Sequence, residues 1–231
     1  MFRGVVFDLD HTLFDRYETI RKTLHVFYNK YRDKIPPSID QGGFIERFIE
    51  IEKKYIHHDW HRILTECAKN NIITPLDEDE IEEVKQFIFK NCWSLSAVSF
   101  PFAIPTLKQL SKMGYKLGLI TNGPHSVQMK KLQMLCLDNS FDEIIITGDI
   151  GVHKPDPLPF KLMSQRLNIK PGELIYVGDH PLNDVEASRK AGYTPIWINA
   201  TGYWSFPDIP RAPYELDTVD QLPELLEQIN K

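Results

Sequence analysis

The stretch Gly4-Val5-Val6-Phe7-Asp8-Leu9-Asp10-His11-Thr12 joins a short apolar run to two closely spaced acids. Residues 4–9 have the composition of a strand buried on both faces of a parallel sheet. Along an extended chain Asp8 and Asp10 point to the same side, about 7 Å apart. Two carboxylates placed so can share a hard cation, or divide labour as nucleophile and acid/base. A solvated acidic turn is the plainer alternative. Comparable apolar runs recur at 116–120, 143–147, 174–177 and 194–198. Between the later runs lie helix-like stretches at 126–135, 157–167 and 183–191, with Gly192 where a C-cap would fall. This alternation predicts an α/β fold with a doubly wound, mostly parallel, Rossmann-like sheet.

From 15 to 96 the strand pattern is absent. The sequence there is charged and helix-like around 17–32, 44–55, 59–70 and 78–91, with Phe44, Phe48, Ile51 and Tyr55 at helical spacing. Breakers at Pro36-Pro37, Gly42-Gly43 and Pro75 separate these segments. The expectation is an α/β core made of residues 1–14 and 97–231, interrupted after its first strand by an all-helical insertion at 15–96. Ligands in open parallel sheets bind beyond the carboxyl ends of the strands, so such an insertion could lie over the site.

Composition narrows the function classes. The 231 residues carry 27 Lys+Arg against 32 Asp+Glu, a formal net charge of −5. That balance offers no footprint for a nucleic-acid polymer or an anionic membrane surface. No apolar run approaches the roughly 18 to 20 residues that span a bilayer, and Asp8 and Asp10 interrupt any signal-peptide stretch. Cys67, Cys92 and Cys136 are sparse and form no CxxC pattern. They are expected to be reduced packing residues of a cytoplasmic protein.

Three further stretches follow predicted strands. In Leu119-Ile120-Thr121-Asn122-Gly123, a hydroxyl and a glycine turn into a helix can offer an OH and backbone N–H groups to an anion; an ordinary capping turn would look the same. In Gly151-Val152-His153-Lys154-Pro155-Asp156-Pro157, a lysine held between turn residues can supply charge to a phosphate without titrating. A solvated loop lysine is the alternative. In Val177-Gly178-Asp179-His180-Pro181-Leu182-Asn183-Asp184, Asp179 emerges where a metal ligand could meet Asp8, with Asp184 about one turn further on. If these strands are neighbours, all four stretches converge on one mouth of the sheet.

In their order and composition the four stretches resemble the motifs of the haloacid dehalogenase-like hydrolase superfamily, and the helical insertion resembles that family's cap between its first and second motifs. Local likeness from Thr121-Asn122-Gly123 through Gln128 and Lys131-Leu132 points to its small-molecule phosphatases, including nucleotidases and acylneuraminate phosphatases. The resemblance implies that Asp8 attacks phosphorus and becomes an aspartyl phosphate. Asp10 would protonate the leaving alkoxide and then deprotonate water. Thr121, Asn122 and Gly123 would hold phosphate oxygens, and Lys154 would offset negative charge. Magnesium (Mg2+) would be held by the Asp8 side chain, the Asp10 carbonyl and Asp179, with Asp184 as a further ligand or an anchor behind it. A phosphate dianion repels a carboxylate nucleophile, so a cation and a lysine are needed to neutralise that repulsion. The implied partner is a small phosphate ester such as a nucleotide or sugar phosphate.

Dehalogenases of the superfamily lack an acid at the place of Asp10, so a carbon–halogen hydrolase is disfavoured. A phosphosugar mutase or a non-catalytic phospho-ligand binder remains a rival. His11 stands where many relatives have a small residue such as glycine. Arg16 and Tyr17, just after the first motif, are the candidates for touching substrate from the insertion. His57, His58 and His61 lie near Trp60, and His57 and His61 could share a helix face as zinc ligands, but no third partner stands at defined spacing. Gly202-Tyr203-Trp204 reads as an aromatic loop at the edge of the core.

Overall fold

The sheet grows outward from the run that ends in Asp8. In the computed structural model this run forms β1 (Gly4–Phe7), fully buried, and pairs in parallel with β2 (Lys116–Thr121) on one side and β4 (Leu174–Gly178) on the other. With β3 (Glu143–Ile146), β5 (Thr194–Ile198) and the short edge strand β6 (Tyr214–Leu216), the sheet is six-stranded, parallel throughout, in the order β3-β2-β1-β4-β5-β6. The structure describes the chain except residues 56–59, 96, 201, 203, 205 and 231, and of 89–95 it describes the backbone only.

Strand order reverses between β1 and β4, where the chain has gone one way through β2 and β3 and returns the other way. In doubly wound sheets the crevice beyond the strands' carboxyl ends at this point is the ligand site. Register brings the first and last motifs there together. Phe7 is opposite both Leu119 and Val177, so Asp8 is the first residue past the ladder, and its N–H donates to the Val177 carbonyl at 2.9 Å. The sheet buries Val6, Ile120, Ile145 and Tyr176 against Phe160 and Met163 of the helix Leu158–Leu167. Near-continuous burial of β1, β2 and β4 is what their unalternating apolar sequence requires.

Two compact units make up the chain, one of residues 1–15 with 99–231, the other of residues 16–98. The second is helical, with α1 (Arg16–Lys30), α2 (Gln41–Tyr55), α3 (Trp60–Lys69) and α4 (Glu78–Leu95). Its interior is aromatic. Phe27 stacks on Phe44 at 5.6 Å and also meets Phe48 and Phe87. The buried stripe of α2 is Phe44, Ile45, Phe48, Ile49 and Glu52, so the stripe is rotated from the Phe44-Phe48-Ile51-Tyr55 pattern read in the sequence. Glu52 lies fully inside because Arg16 reaches it, Nε and Nη2 both donating to Oε1 at 2.8 and 2.6 Å. No helix among the described residues is long and apolar enough to cross a membrane.

Candidate active site

Lys154 is the hub of the α/β unit's acidic mouth. Its ammonium, nearly fully buried, donates to Asp8 Oδ1 at 2.7 Å, Asp184 Oδ1 at 2.6 Å and the Tyr176 hydroxyl at 2.8 Å. A buried ammonium is tolerated only with its three donors satisfied. Burial disfavours its charge, but Asp184 and Asp8 more than offset this and hold its pKa well above the ordinary range. The loop that delivers Lys154 is clamped by Asn122. The Asn122 amide donates to the Lys154 carbonyl at 3.0 Å and its Oδ1 accepts the Lys154 N–H at 2.9 Å. The Asn122 side chain thus acts as a brace between the second and third motifs. Gly123, at φ +134, has a backbone that glycine alone adopts freely; its N–H donates to Thr147 Oγ1 at 3.3 Å.

The fourth motif turns tightly after β4. Gly178 leaves room beside Asp184, Asp179 follows, and a π-helical turn at Pro181–Glu186 carries Asp184 back under the mouth. Asp184 Oδ2 accepts the His180 N–H at 3.0 Å, while Tyr176 reaches both Asp184 Oδ1 and the Ile120 carbonyl. Trp197 on β5 fixes the Asp179 carbonyl at 2.6 Å.

Asp8, Asp179 and Asp184 each present one carboxylate oxygen within 4.8 Å of the others, and among the described residues this is the group of three suited to a metal. Burial pushes the Asp8 carboxyl up to about 7 against the pull of Lys154, with Asp184 and Asp10 adding to the rise. Burial, then Asp184 and Asp8, raise Asp179 well above the carboxylate range. Three carboxyl groups facing one lysine would, when all ionised, carry an excess of negative charge, and these rises are its signature. An all-oxygen donor set with that excess fits a hard divalent cation.

Asp10 stands apart from this triad. Its carboxylate takes both contacts of Lys131, at 2.7 and 3.1 Å, and one from Gln128 at 3.3 Å. Gln128 also bonds the hydroxyl of the fully buried Thr121. Both partners come from the helix α6 (His125–Met134), which follows α5 (Ala103–Lys112) and β2. Tyr176, Gln128 and Lys131 carry contacts that the motifs themselves did not announce. A lone polar tip in an apolar strand, and a Gln and Lys three apart on the helix after the second motif, are the signals that point to them.

Other candidates have different surroundings. In the helical unit Arg16 is engaged by Glu52 and lies 5.8 Å from the Trp60 ring, and Tyr17 lies under the Lys53 ammonium at 4.9 Å. His61 is exposed and 3.3 Å from Glu78; His57, His58 and Tyr203 fall outside the described residues. Trp204 packs edge-on against Trp197 at 4.9 Å, with Arg211 against both rings.

Comparison with known proteins identifies the family. A glyceraldehyde 3-phosphate phosphatase of Methanopyrus kandleri is 35% identical over 137 residues, 57% of this chain and 58% of that protein, so the chain spans a little over half its length. The N-acylneuraminate-9-phosphatase of Homo sapiens is 23% identical across 99% of this chain and 95% of its own. The crystal structure of a HAD phosphatase from Thermococcus onnurineus superposes with a TM-score of 0.61, at 30% identity and covering 97% of each chain. The family model described as haloacid dehalogenase-like hydrolase matches residues 5–198, from the first residue of β1 past Gly4 to the end of β5. With its parallel sheet and its clustered acids and lysine at the strand ends, the chain belongs to the haloacid dehalogenase-like hydrolases.

Proposed function

We propose that the protein is a phosphoric monoester hydrolase that works through an aspartyl-phosphate on Asp8, with a small sugar-phosphate-like ester as substrate. The observation that carries this is the pair at the end of β1: Asp8 held by Lys154 at 2.7 Å, and a second acid, Asp10, held separately by α6. Carbon–halogen cleavage expels a halide that needs no proton. Expulsion of an alkoxide does, and Asp10 is the group to give it. The phosphatase names of the relatives above fit the same class, and their named substrates are small phosphate esters.

Asp8 attacks phosphorus as Asp10 passes its proton to the departing ester oxygen. Water then attacks the acyl phosphate, and Asp10, now ionised, takes the water's proton, freeing phosphate and restoring Asp8. Lys154 keeps positive charge beside the nucleophile throughout, while the Thr121 hydroxyl and the Asn122 backbone N–H receive phosphoryl oxygens. Asp8 and Asp179 would hold Mg2+ with the Asp10 carbonyl; Asp184, whose oxygens already meet Lys154 and the His180 N–H, would anchor the set from behind. When bound, the cation supplies the charge that lets a carboxylate approach a phosphate dianion.

A phosphate-release screen over sugar phosphates, nucleotides and small organic phosphates tests the proposal, run with Asp8→Asn as the control. Turnover of a subset by the native chain and none by Asp8→Asn is expected, because an amide is no substitute for the nucleophile. Native-like turnover by Asp8→Asn would overturn the mechanism. Conversion of a sugar phosphate to its isomer without phosphate release would instead make the protein a mutase.

A further inference from the structure

We infer that Lys131 and Gln128 are positioning residues for the reaction, a two-point clamp on α6 that fixes the Asp10 carboxylate and ties it to the phosphate-side hydroxyl of Thr121. The inference rests on the proposal that Asp10 handles the proton of the leaving group.

Three observations carry it. The Lys131 ammonium straddles both Asp10 oxygens, at 2.7 and 3.1 Å, so it defines the plane and the rotation of the carboxylate as well as its location. The single amide nitrogen of Gln128 reaches both Asp10 Oδ2, at 3.3 Å, and Thr121 Oγ1, joining the first motif to the second. Both side chains are withdrawn from water, Gln128 at 2% and Lys131 at 4% exposure, with the ammonium also 5.3 Å from the Phe14 ring. Desolvating a lysine is expensive unless a carboxylate meets it. A helix face that spends a Gln and a Lys at i and i+3 on one carboxylate is built for that carboxylate.

The need for such a clamp follows from where Asp10 sits. It is two residues beyond the nucleophile, in a turn whose next residue, His11, is left-handed, and its backbone has an isolated bridge to Phe14 in place of a strand ladder. Its proton must arrive at an ester oxygen within hydrogen-bond reach, and about 1 Å of misplacement is enough to lose on the order of a hundredfold in rate. Asp8 is aligned by β1 and Lys154. Asp10 takes its alignment from α6.

The test uses the full chain with Mg2+ present and compares Lys131→Met, Gln128→Met and Asp10→Asn, each checked for native thermal unfolding. Single-turnover release of the leaving group is followed for a series running from an alkyl phosphate to a dinitrophenyl phosphate. Lys131→Met is expected to lose about tenfold or more on the alkyl ester and only a few-fold on the dinitrophenyl ester, which leaves without a proton. KM should move little, since the phosphate contacts are untouched. Added to Asp10→Asn, Lys131→Met should lower the rate by less than about threefold further, because residues acting as a unit are not additive. Gln128→Met, close in shape, should show the same dependence on the leaving group at smaller amplitude, with KM rising as well because Gln128 also holds Thr121, and stands in if Lys131→Met does not fold. An equal loss on every leaving group, or a full multiplicative loss in the Asp10→Asn background, would overturn the clamp and leave Asp10 as the acid intact. If Asp10→Asn itself shows no dependence on the leaving group, the role of Asp10 falls, and the clamp with it.

Discussion

His11 occupies a left-handed backbone, φ +60, and is buried at 3% exposure. The turn is needed because the Thr12, Leu13 and Phe14 amides all point back to the Leu9 carbonyl, curling the chain directly after Asp10. A Cβ in that conformation costs about 1–2 kcal/mol. Of two truncations that both remove the imidazole, His11→Gly should therefore be the more stable, by about 1 kcal/mol over His11→Ala, a few °C in Tm for a chain of this size. Equal thermal unfolding of the two would show that the turn relaxes away from the left-handed region. The acids admit a second experiment at this scale. After treatment with chelator, Mg2+ should raise the Tm of the wild type, and much less that of Asp179→Asn, by linkage between binding and folding. An undiminished shift in Asp179→Asn would remove that residue from the metal's ligands. Asp8 and Asp179 were legible in the sequence because each directly follows a recognisable strand, Lys154 because it sits in a turn-rich loop, and Asp184 because it closes the acidic stretch that Asp179 opens. Tyr176 was not, and Gln128 and Lys131 showed as a local likeness without a role, since the contacts span 22, 118 and 121 residues of chain that only the sheet order brings together.

Between residue and molecule, the decisive element is the turn from β4 into the π-helical segment. The hydrophobic pattern marked a helix at 183–191, but a single widened turn leaves no trace in a periodicity of 3.6 residues, so its start at Pro181 was hidden. The His180 ring caps that turn, Nδ1 accepting the Leu182 and Asn183 N–H groups at 3.1 and 3.3 Å. Widening brings Asp184 back over Gly178, so closely that a Cβ there would stand 2.5 Å from the Asp184 carboxylate carbon. Gly178 is not among the residues with positive φ, so alanine would add a clash and no backbone strain. Gly178→Ala should push Asp184 off Lys154 and lower turnover by about tenfold or more, since placement errors near 1 Å carry costs of that order. Loss should appear in kcat, with far-UV circular dichroism unchanged. Wild-type turnover in Gly178→Ala would mean that Asp184 has slack and does not brace the lysine.

At the scale of the whole chain, the division of residues follows the division of chemistry. The parallel sheet was legible because doubly buried strands are unbroken apolar runs; β6, three half-buried to exposed residues at the edge, had no such run to show. In the helical unit the helices were legible from periodicity, but a fully buried Glu52 was not, since a charged side chain reads as solvent-facing until its partner is known. That pair also changes what Arg16 would report. Arg16→Ala strands the Glu52 carboxylate inside the unit, and breaking such a pair costs about 3–5 kcal/mol. A Tm lowered in Arg16→Ala and largely restored in Arg16→Met with Glu52→Leu is the expected signature, so substrate preference has to be tested by other means. Asp8, Asp10, Thr121, Lys154, Asp179 and Asp184 all belong to the α/β unit, and every substrate presents them with the same phosphate. What differs among esters is the leaving group, and the expectation from the sequence is that the helical insertion recognises it. Replacing this segment by its counterpart from a relative with another substrate should therefore reorder kcat/KM across a panel of phosphate esters, in chimaeras first shown to hydrolyse p-nitrophenyl phosphate. Lys154→Met, in contrast, should depress the whole panel together. If the chimaera keeps the original ranking and merely scales it, selection of the leaving group resides in the α/β unit itself.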